Sequence, residues 1–384
     1  MPAVKKIVAG GALAVAGLFA FVVVDGWTAF GARATGARLA RLQASAAWRD
    51  GHVVNPQPLR NSFWKMLTGL LHSSPDTSPA VLPLRPPLID DDARPAAPPA
   101  SGLRVTWLGH STMLVELEGR RFLTDPVWSP RASPLGWVGP RRFFPPPVAL
   151  EALPPLDAVV ISHDHYDHLD RATVVALGAR GVTFVVPLGV GADLAAWGIP
   201  EARIIELDWW QRASFGPVAV VCTPARHASG RMLIDNDKKL WAGYAFVGAA
   251  HRVYYSGDSG LFPALRDIGA RLGPFDLTMI EVGQYGQAWP DWHMGPEQAV
   301  RAHQLLGGRL LLPVHWGAFA LAYHAWTEPI ERAVAAAGRA GVALVAPRPG
   351  QGFEPAAPPP VEHWWPVLPV KTAAQDPIVS TQID

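Results

Sequence analysis

The stretch SHDHYDH, Ser162 to His168, sets three histidines and two aspartates between the apolar run DAVVI and the polar LDRAT. A chain with 13 histidines in 384 residues concentrates more ligating chemistry here than packing requires. In extended backbone, side chains at i and i+2 share a face, so His163 and His165 project together from the strand end. Asp167 and His168 follow where the chain must turn, and can face the same hollow from another side. Imidazole and carboxylate without thiolate suit zinc or a similar borderline divalent metal. The motif therefore restricts the chain to folds that gather strand ends around one or two metals. Asp164 and Tyr166 read as spacers within it.

Further ligand types stand at the ends of apolar runs downstream and upstream. Asp125 closes RRFLTDP, His227 follows AVVCTPAR, Asp258 ends RVYYSGDSG and His315 ends RLLLPVHWG. Any one of them could be a strand-terminal polar residue satisfied by backbone. Their common placement, together with the histidine motif, points instead to one shared site. Strand-like runs appear at LRVTWLG, STMLVELE, RRFLTD, DAVVIS, VTFVVP, VAVVCTP, LWAGYAFVG, HRVYYSGD, DLTMIEV and RLLLPVH. Helical candidates are DRATVVALGAR, GVGADLAAWG, GPEQAVRAHQLLG and TEPIERAVAAAGRAG. Strands lead each half and helices follow, which suggests two βα halves packed sheet on sheet with helices outside.

Charge bears on partners. With 33 Lys+Arg against 32 Asp+Glu the formal net charge is +1, so no broad basic field exists for nucleic acid. The single cysteine, Cys222, excludes an intramolecular disulfide, and its place in VAVVCTP reads as a buried, inert thiol.

The N-terminus reads as a targeting or anchoring element. Lys5 and Lys6 precede an uncharged run from Ile7 to Val24, which as a helix would span about 27 Å, enough for a bilayer core. A retained signal-anchor is favoured over a cleaved signal peptide, for which Ala32–Ala34 would be the cleavage site. Arg33, Arg38 and Arg41 follow the run and oppose the two lysines, so orientation is not fixed. GARATGARLARLQASAAWRD reads as a basic helix and NSFWKMLTGLL as a short amphipathic one. Each would lie on a bilayer or pack on the domain that follows. A proline-rich linker runs from Ser73 to Gly102, and the tail beyond Pro347, with Trp364 and Trp365, reads as irregular.

In order, TDP, SHDHYDH, PARHASGR, YSGDSG and PVHWGAF resemble the metallo-β-lactamase fold superfamily in its binuclear H-x-H-x-D-H branch. The flanks WLGHSTMLVE, DPVWSPRASPLGWVGPRRFFPPP, HASGR, HMGPEQAV and VHWGAF are similar to the N-acyl-phosphatidylethanolamine phospholipase D-like group of metal-dependent hydrolases. The match covers about Leu103 to Gly350. The resemblance implies an α+β fold, a four-layer αββα sandwich with the metals at one edge; the N-terminal membrane segment, linker and tail lie outside the match. The expected organisation is a signal-anchor or signal peptide over 1–25, a basic and amphipathic segment with linker over 26–102, a catalytic domain over 103–350 and a tail over 351–384.

Carried over by motif, the resemblance gives one Zn2+ to His163, His165 and His227 and a second to Asp167, His168 and His315, with Asp258 bridging and Asp125 orienting a ligand from behind. Other divalent metals would fit the same ligands. Two such metals can hold a bridging hydroxide, positioned by Asp167 and Asp258, which would attack a phosphodiester or ester. His110, Tyr285 and His293 are candidates to line the site. The loop from Trp128 to Pro147 offers Trp128, Trp137, Phe143 and Phe144 to lipid and Arg131, Arg141 and Arg142 to phosphate.

The expected activity is a membrane-associated phosphodiesterase of phospholipase D type, acting on N-acylated phosphoethanolamine lipids. The expected location is membrane-anchored or exported, in a bacterial cell envelope. A lactonase or other ester hydrolase on the same scaffold is the alternative, since the fold hosts many substrates. A non-catalytic metal-binding envelope protein fits the anchor but not the intact ligand set. The short stretch from Asp258 to His315 argues against the superfamily's nucleases, which insert an extra domain there.

Overall fold

The computed structural model describes residues 17, 20, 21, 24, 26–81, 97–232 and 234–381. Most of the apolar run Ile7–Val24 and residues 82–96 of the proline-rich linker lie outside the described residues. Among the described residues no helix is long and apolar enough to cross a membrane.

A two-stranded hairpin, β1 (Trp48–Arg49) and β2 (His52–Val53), precedes the main body. The first sheet takes β3 (Leu103–Trp107), β4 (Met113–Leu117), β5 (Arg120–Thr124), β6 (Ala158–Val160), β7 (Thr183–Pro187) and β8 (Ile204–Leu207) in sequence order. The second holds β9 (Arg212–Phe215), β10 (Val218–Thr223), β11 (Gly243–Val247), β12 (Arg252–Tyr255), β13 (Phe275–Glu281) and β14 (Gly308–Val314). A last strand, β15 (Gly352–Phe353), returns antiparallel to β3 and makes the first sheet seven-stranded. β4 and β5 are joined by the two-residue turn Glu118–Gly119, both at positive φ, the geometry whose twist matches a hairpin.

Side chains alternate across the first sheet as a period of two demands. Met113, Val115 and Leu117 of β4 enter the large core between the sheets, while Leu114 joins the outer core. That outer core is closed by α3 (Arg171–Ala179) and α4 (Gly191–Ala196) through Val174, Leu177 and Leu194. On the far face of the second sheet, α5 (Ala264–Leu272), α6 (Pro296–Leu305) and α7 (Glu328–Ala340) contribute Ile268, Val300 and Ile330. The layers run helix, sheet, sheet, helix, which is the αββα order expected.

The N-terminal helices behave differently from each other. The expected basic helix is confined to α1 (Gly36–Gln43), where Leu42 is buried and Arg38 and Arg41 pair with the carboxylate of Glu206 on β8 at 2.8 and 2.5 Å. Two arginines engaged by a buried acid hold α1 on the domain. α2 (Phe63–Leu71), capped by the Ser62 hydroxyl, leaves Trp64, Leu67 and Leu71 exposed.

Beyond β15 the described tail forms no helix or strand, yet it packs on the domain. It stacks Trp364 on Trp316 at 5.3 Å and buries Trp365, whose indole N–H donates to Glu331. It then crosses the molecule to Asp291, where Thr381 donates its backbone N–H and hydroxyl to the carboxylate.

Candidate metal centre

Strand direction brings the predicted ligands together. β5 and β6 run parallel, and β3 matches them because it is separated from β5 by one antiparallel neighbour. In the second sheet β12, β13 and β14 are parallel, and β10 runs with β12 across the antiparallel β11. The C-terminal ends of all these strands lie at one edge. There stand His110 after β3, Asp125 after β5, the histidine motif after β6, His227 after β10, Asp258 after β12, Glu281 closing β13 and His315 after β14. Three of them, His110, Asp125 and His315, hold positive φ without being glycine, a strain that clusters where side chains are aimed for function.

Two groups of donor atoms result. His163 Nε2 lies 2.9 Å from His165 Nδ1, which lies 3.3 Å from His227 Nε2. The second group sets Asp167 Oδ2 3.3 Å from His168 Nε2 and 3.9 Å from His315 Nε2. Asp258 stands between them: its Oδ2 is 3.8 Å from both His163 Nε2 and His227 Nε2, and 3.1 Å from His168 Nε2. Donors bound to one tetrahedral zinc at ~2.0–2.1 Å are about 3.3 Å apart, so both groups have the spacing of a shared cation.

The chemistry of the donors agrees with their spacing. His168 Nε2, His315 Nε2 and Asp258 Oδ1 are buried and make no hydrogen bond among the described residues. Leaving such atoms unpaired costs about 1–3 kcal/mol each, a cost a cation would remove. Burial, with mutual repulsion among the rings, holds the pKa of His163 and His227 well below the ordinary value, so these imidazoles stay neutral as ligands must. Burial works against charging His168 too, yet Asp258, Asp167 and Asp125 around it raise its pKa well above the ordinary value. Burial pushes Asp258 up to about 7 against the pull of His168. A cluster of carboxylates that draws a proton onto an imidazole is a cluster calling for positive charge.

Behind the donors a set of hydrogen bonds fixes each ring. Asp125 accepts from Ser162 N–H at 2.7 Å, from the Ser162 hydroxyl at 2.5 Å, from His168 Nδ1 at 2.6 Å and from Tyr255. His227 Nδ1 donates to the Trp292 carbonyl at 2.9 Å, and His315 Nδ1 pairs with the Ser111 hydroxyl at 3.0 Å. His110 Nε2 holds Asp167 Oδ2 at 2.9 Å. His293 Nδ1 holds Glu281 Oε2 at 2.7 Å, with Asp258 Oδ2 3.8 Å away. His293 is 14% exposed at its side chain and His110 1%, so of these two only His293 reaches the opening.

Several expectations about the surroundings change. Tyr285 does not turn to the histidines; its buried hydroxyl donates to Glu328 at 2.8 Å and its ring stacks on His324. The loop after Asp125 does not present its aromatic and arginine side chains together. Phe143 and Phe144 are buried in the inter-sheet core. Arg142 is buried over the Phe319 ring and donates to the Val127 carbonyl, burial lowering its pKa to about 10. Trp128 is tied by its indole N–H to the Val148 carbonyl at 2.8 Å, and Arg131 bridges to Arg141 across the loop. Trp137 remains half exposed at the tip. Asp164 and Tyr166 are not spacers. Asp164 is fully buried, takes Lys239 Nζ at 3.0 Å and Gly230 N–H at 2.8 Å, and Tyr166 donates to the Arg231 carbonyl while stacking under its guanidinium.

Residues 120–316 match the family described as the beta-lactamase superfamily domain. An uncharacterized protein of Mycobacterium tuberculosis is 48% identical over 375 residues, covering 94% of this chain and 98% of its own length. The N-acyl-phosphatidylethanolamine-hydrolyzing phospholipase D 1 of Caenorhabditis elegans is 41% identical over 231 residues, 57% of this chain and 65% of that protein. Among solved structures, Igni18, a metallo hydrolase of the archaeon Ignicoccus hospitalis, shares the fold with a TM-score of 0.51 and 24% identity, over 66% of this chain and 98% of that one.

Proposed function

The chain belongs to the metallo-β-lactamase superfamily, and from that premise we propose that this metal-dependent hydrolase is a binuclear zinc phosphodiesterase of phospholipase D type, cleaving N-acyl-phosphatidylethanolamine-like lipids at a membrane. The observation that carries the reading is the pair of donor groups joined at Asp258, with its buried unpaired atoms. The likeness to a named lipid-cleaving phospholipase D over the catalytic region supports the substrate class.

His163, His165 and His227 would hold one metal, Asp167, His168 and His315 the other, with Asp258 shared. When bound, such a pair lowers the pKa of water and offsets charge on phosphoryl oxygens. The chain's own residues supply the rest. Asp125 holds the His168 ring and the Ser162 backbone, so the motif cannot rotate away from Asp258. His110 fixes one oxygen of Asp167. Burial lowers the His293 pKa and raises that of Glu281 well above the ordinary carboxyl value, so the carboxyl holds the proton between them and donates it to Nδ1. This leaves Nε2–H of His293 as the group able to give a proton to the departing alkoxide while Glu281 resupplies Nδ1. The apolar run Ile7–Val24 would keep this chemistry at a bilayer of the cell envelope, its lipid substrates arriving laterally.

Purified protein should carry about two zinc ions per chain and release phosphatidate from N-acyl-phosphatidylethanolamine. His163→Ala and Asp258→Ala should each lower zinc content and abolish turnover. Turnover of a lactone panel with inert phosphodiesters would reject the lipid assignment. Zinc well below two per chain and unchanged by either substitution would reject the binuclear site.

A further inference from the structure

A cavity lies behind the histidine-rich turn, bounded by the N-terminal segment, the loop at 129–136 and the first turn of α3. We propose that it binds the phosphate of an anionic phospholipid headgroup at the bilayer surface, a site separate from the metal cluster. Its volume is about 250 Å³, and its walls include Thr28, Ser129, Arg131, Tyr166, Arg171 and Arg231.

Charge in the walls is not balanced. Arg231 is committed: its guanidinium donates to the carbonyls of Ala29, Asp164 and Leu169. Asp170, the acid of this lining, is committed as well, accepting from Trp128 N–H, Ser129 N–H and hydroxyl, Ala172 N–H and the Thr173 hydroxyl. Among the described residues Arg171 makes no such pairing, and its Nε is buried without a hydrogen-bond partner. The Arg131 guanidinium donates, among the described residues, only to the carbonyl of Gly139, a neutral acceptor. Two guanidiniums facing one cavity without a free carboxylate favour a planar-to-tetrahedral oxyanion match, which phosphate provides and a carboxylate-poor protein wall does not.

The rim says where that phosphate comes from. Phe21, Val24, Trp27, Trp137 and Val138 are all exposed apolar side chains, and the Phe21 and Trp137 rings stand 6.0 Å apart. Phe21 and Val24 belong to the apolar run itself, and the chain that follows it lines the cavity with Thr28 and Ala29. The segment is fastened just beyond that rim. Ala32 N–H donates to Asp193, Trp197 donates to the Thr28 carbonyl, and Gly31 sits where any Cβ would lie 1.9 Å from Asp193 Oδ1. An apolar rim with arginines set behind it matches the order of a lipid interface, acyl chains outside and phosphate beneath.

The test uses binding rather than turnover, with the full chain and vesicles of phosphatidylcholine with or without phosphatidylglycerol, read by sedimentation. Arg171→Gln should lower the preference for anionic vesicles about fivefold, and the pair with Arg131→Gln should lower it further, at ~1 kcal/mol per arginine. Arg212→Gln removes an exposed charge from β9, remote in sequence and sheet, and should change the preference less than about twofold. Equal losses for Arg171→Gln and Arg212→Gln would overturn the proposal in favour of diffuse charge. Displacement of the wild-type chain by millimolar inorganic phosphate, without dependence on Arg171, would also overturn it. Inorganic phosphate that stabilises the wild type against heat but not Arg171→Gln, with no vesicle preference, would assign the site to free phosphate and reject the lipid. Absence of binding to either vesicle would strike the membrane reading, whereas anionic preference insensitive to Arg171→Gln would strike this cavity alone.

Discussion

Asp125 shows how much a single carboxylate behind the candidate ligands can do. It accepts from the backbone and hydroxyl of Ser162, from His168 and from Tyr255, and so fixes a ligand from the motif by both main chain and ring. Asp125→Asn keeps the volume but removes the charge and turns an amide donor toward groups that already donate. Zinc affinity should fall about 10–100-fold, measured by competition with a chromophoric chelator, and unchanged affinity would remove Asp125 from this role. The ligand types were legible because histidine is scarce and the motif crowds it. Their partners were less so. Asp164 has no local signal, because Lys239, which neutralises it, arrives from a distant loop. Glu281 ends a strand as Asp125 does and could have been picked out by that placement. The Trp292 carbonyl that holds His227 could not, since a backbone acceptor carries no residue identity.

At the scale of elements, the strongly apolar runs became strands and the long periodic segments became helices. What escaped was short or ambiguous. β8 and β9 are four-residue strands toward the sheet margins, with exposed or half-exposed positions that blur any alternation. α5 contains Gly269, which reads as a breaker. In the fold it permits close approach of α6, since a Cβ there would lie 2.4 Å from the Leu305 carbonyl. α6 also carries a titratable group outside the donor clusters. His303 is buried against the Thr278 hydroxyl, and burial lowers its pKa to about 4. An unfolded histidine titrates near ~6.5, so the unfolded chain binds the proton first as pH falls. Stability from this group is therefore intact above about pH 6.5 and is lost progressively down to about pH 4, by roughly 3 kcal/mol at most. His303→Gln should flatten that part of the dependence of the urea midpoint on pH relative to wild type. Parallel curves for the two proteins would refute it.

Over the whole molecule, buried charge is used as fastening. Lys239 sits between Asp164 and Asp193, all of them buried, and Asp193 also receives Ala32 N–H from the N-terminal segment. Lys239→Met would leave two buried carboxylates without their cation and should cost about 3–5 kcal/mol in urea unfolding. A cost below about 1 kcal/mol would show that Arg231 suffices for both. On the other flank, the fully buried Arg226–Asp291 pair at 3.1 Å gathers Pro58 and Arg60 from the N-terminal arm and Thr381 from the tail. Arg226 adjoins His227, and Asp291 adjoins Trp292, whose carbonyl holds that histidine. Two loops and two distant chain segments thus share one ion pair, and they must move as a single body. Slackening either the arm at Pro58 or the tail at Thr381 would therefore loosen the same ring, so the His227 side of the site is stayed from two remote segments at once, like a mast held by two ropes on one cleat.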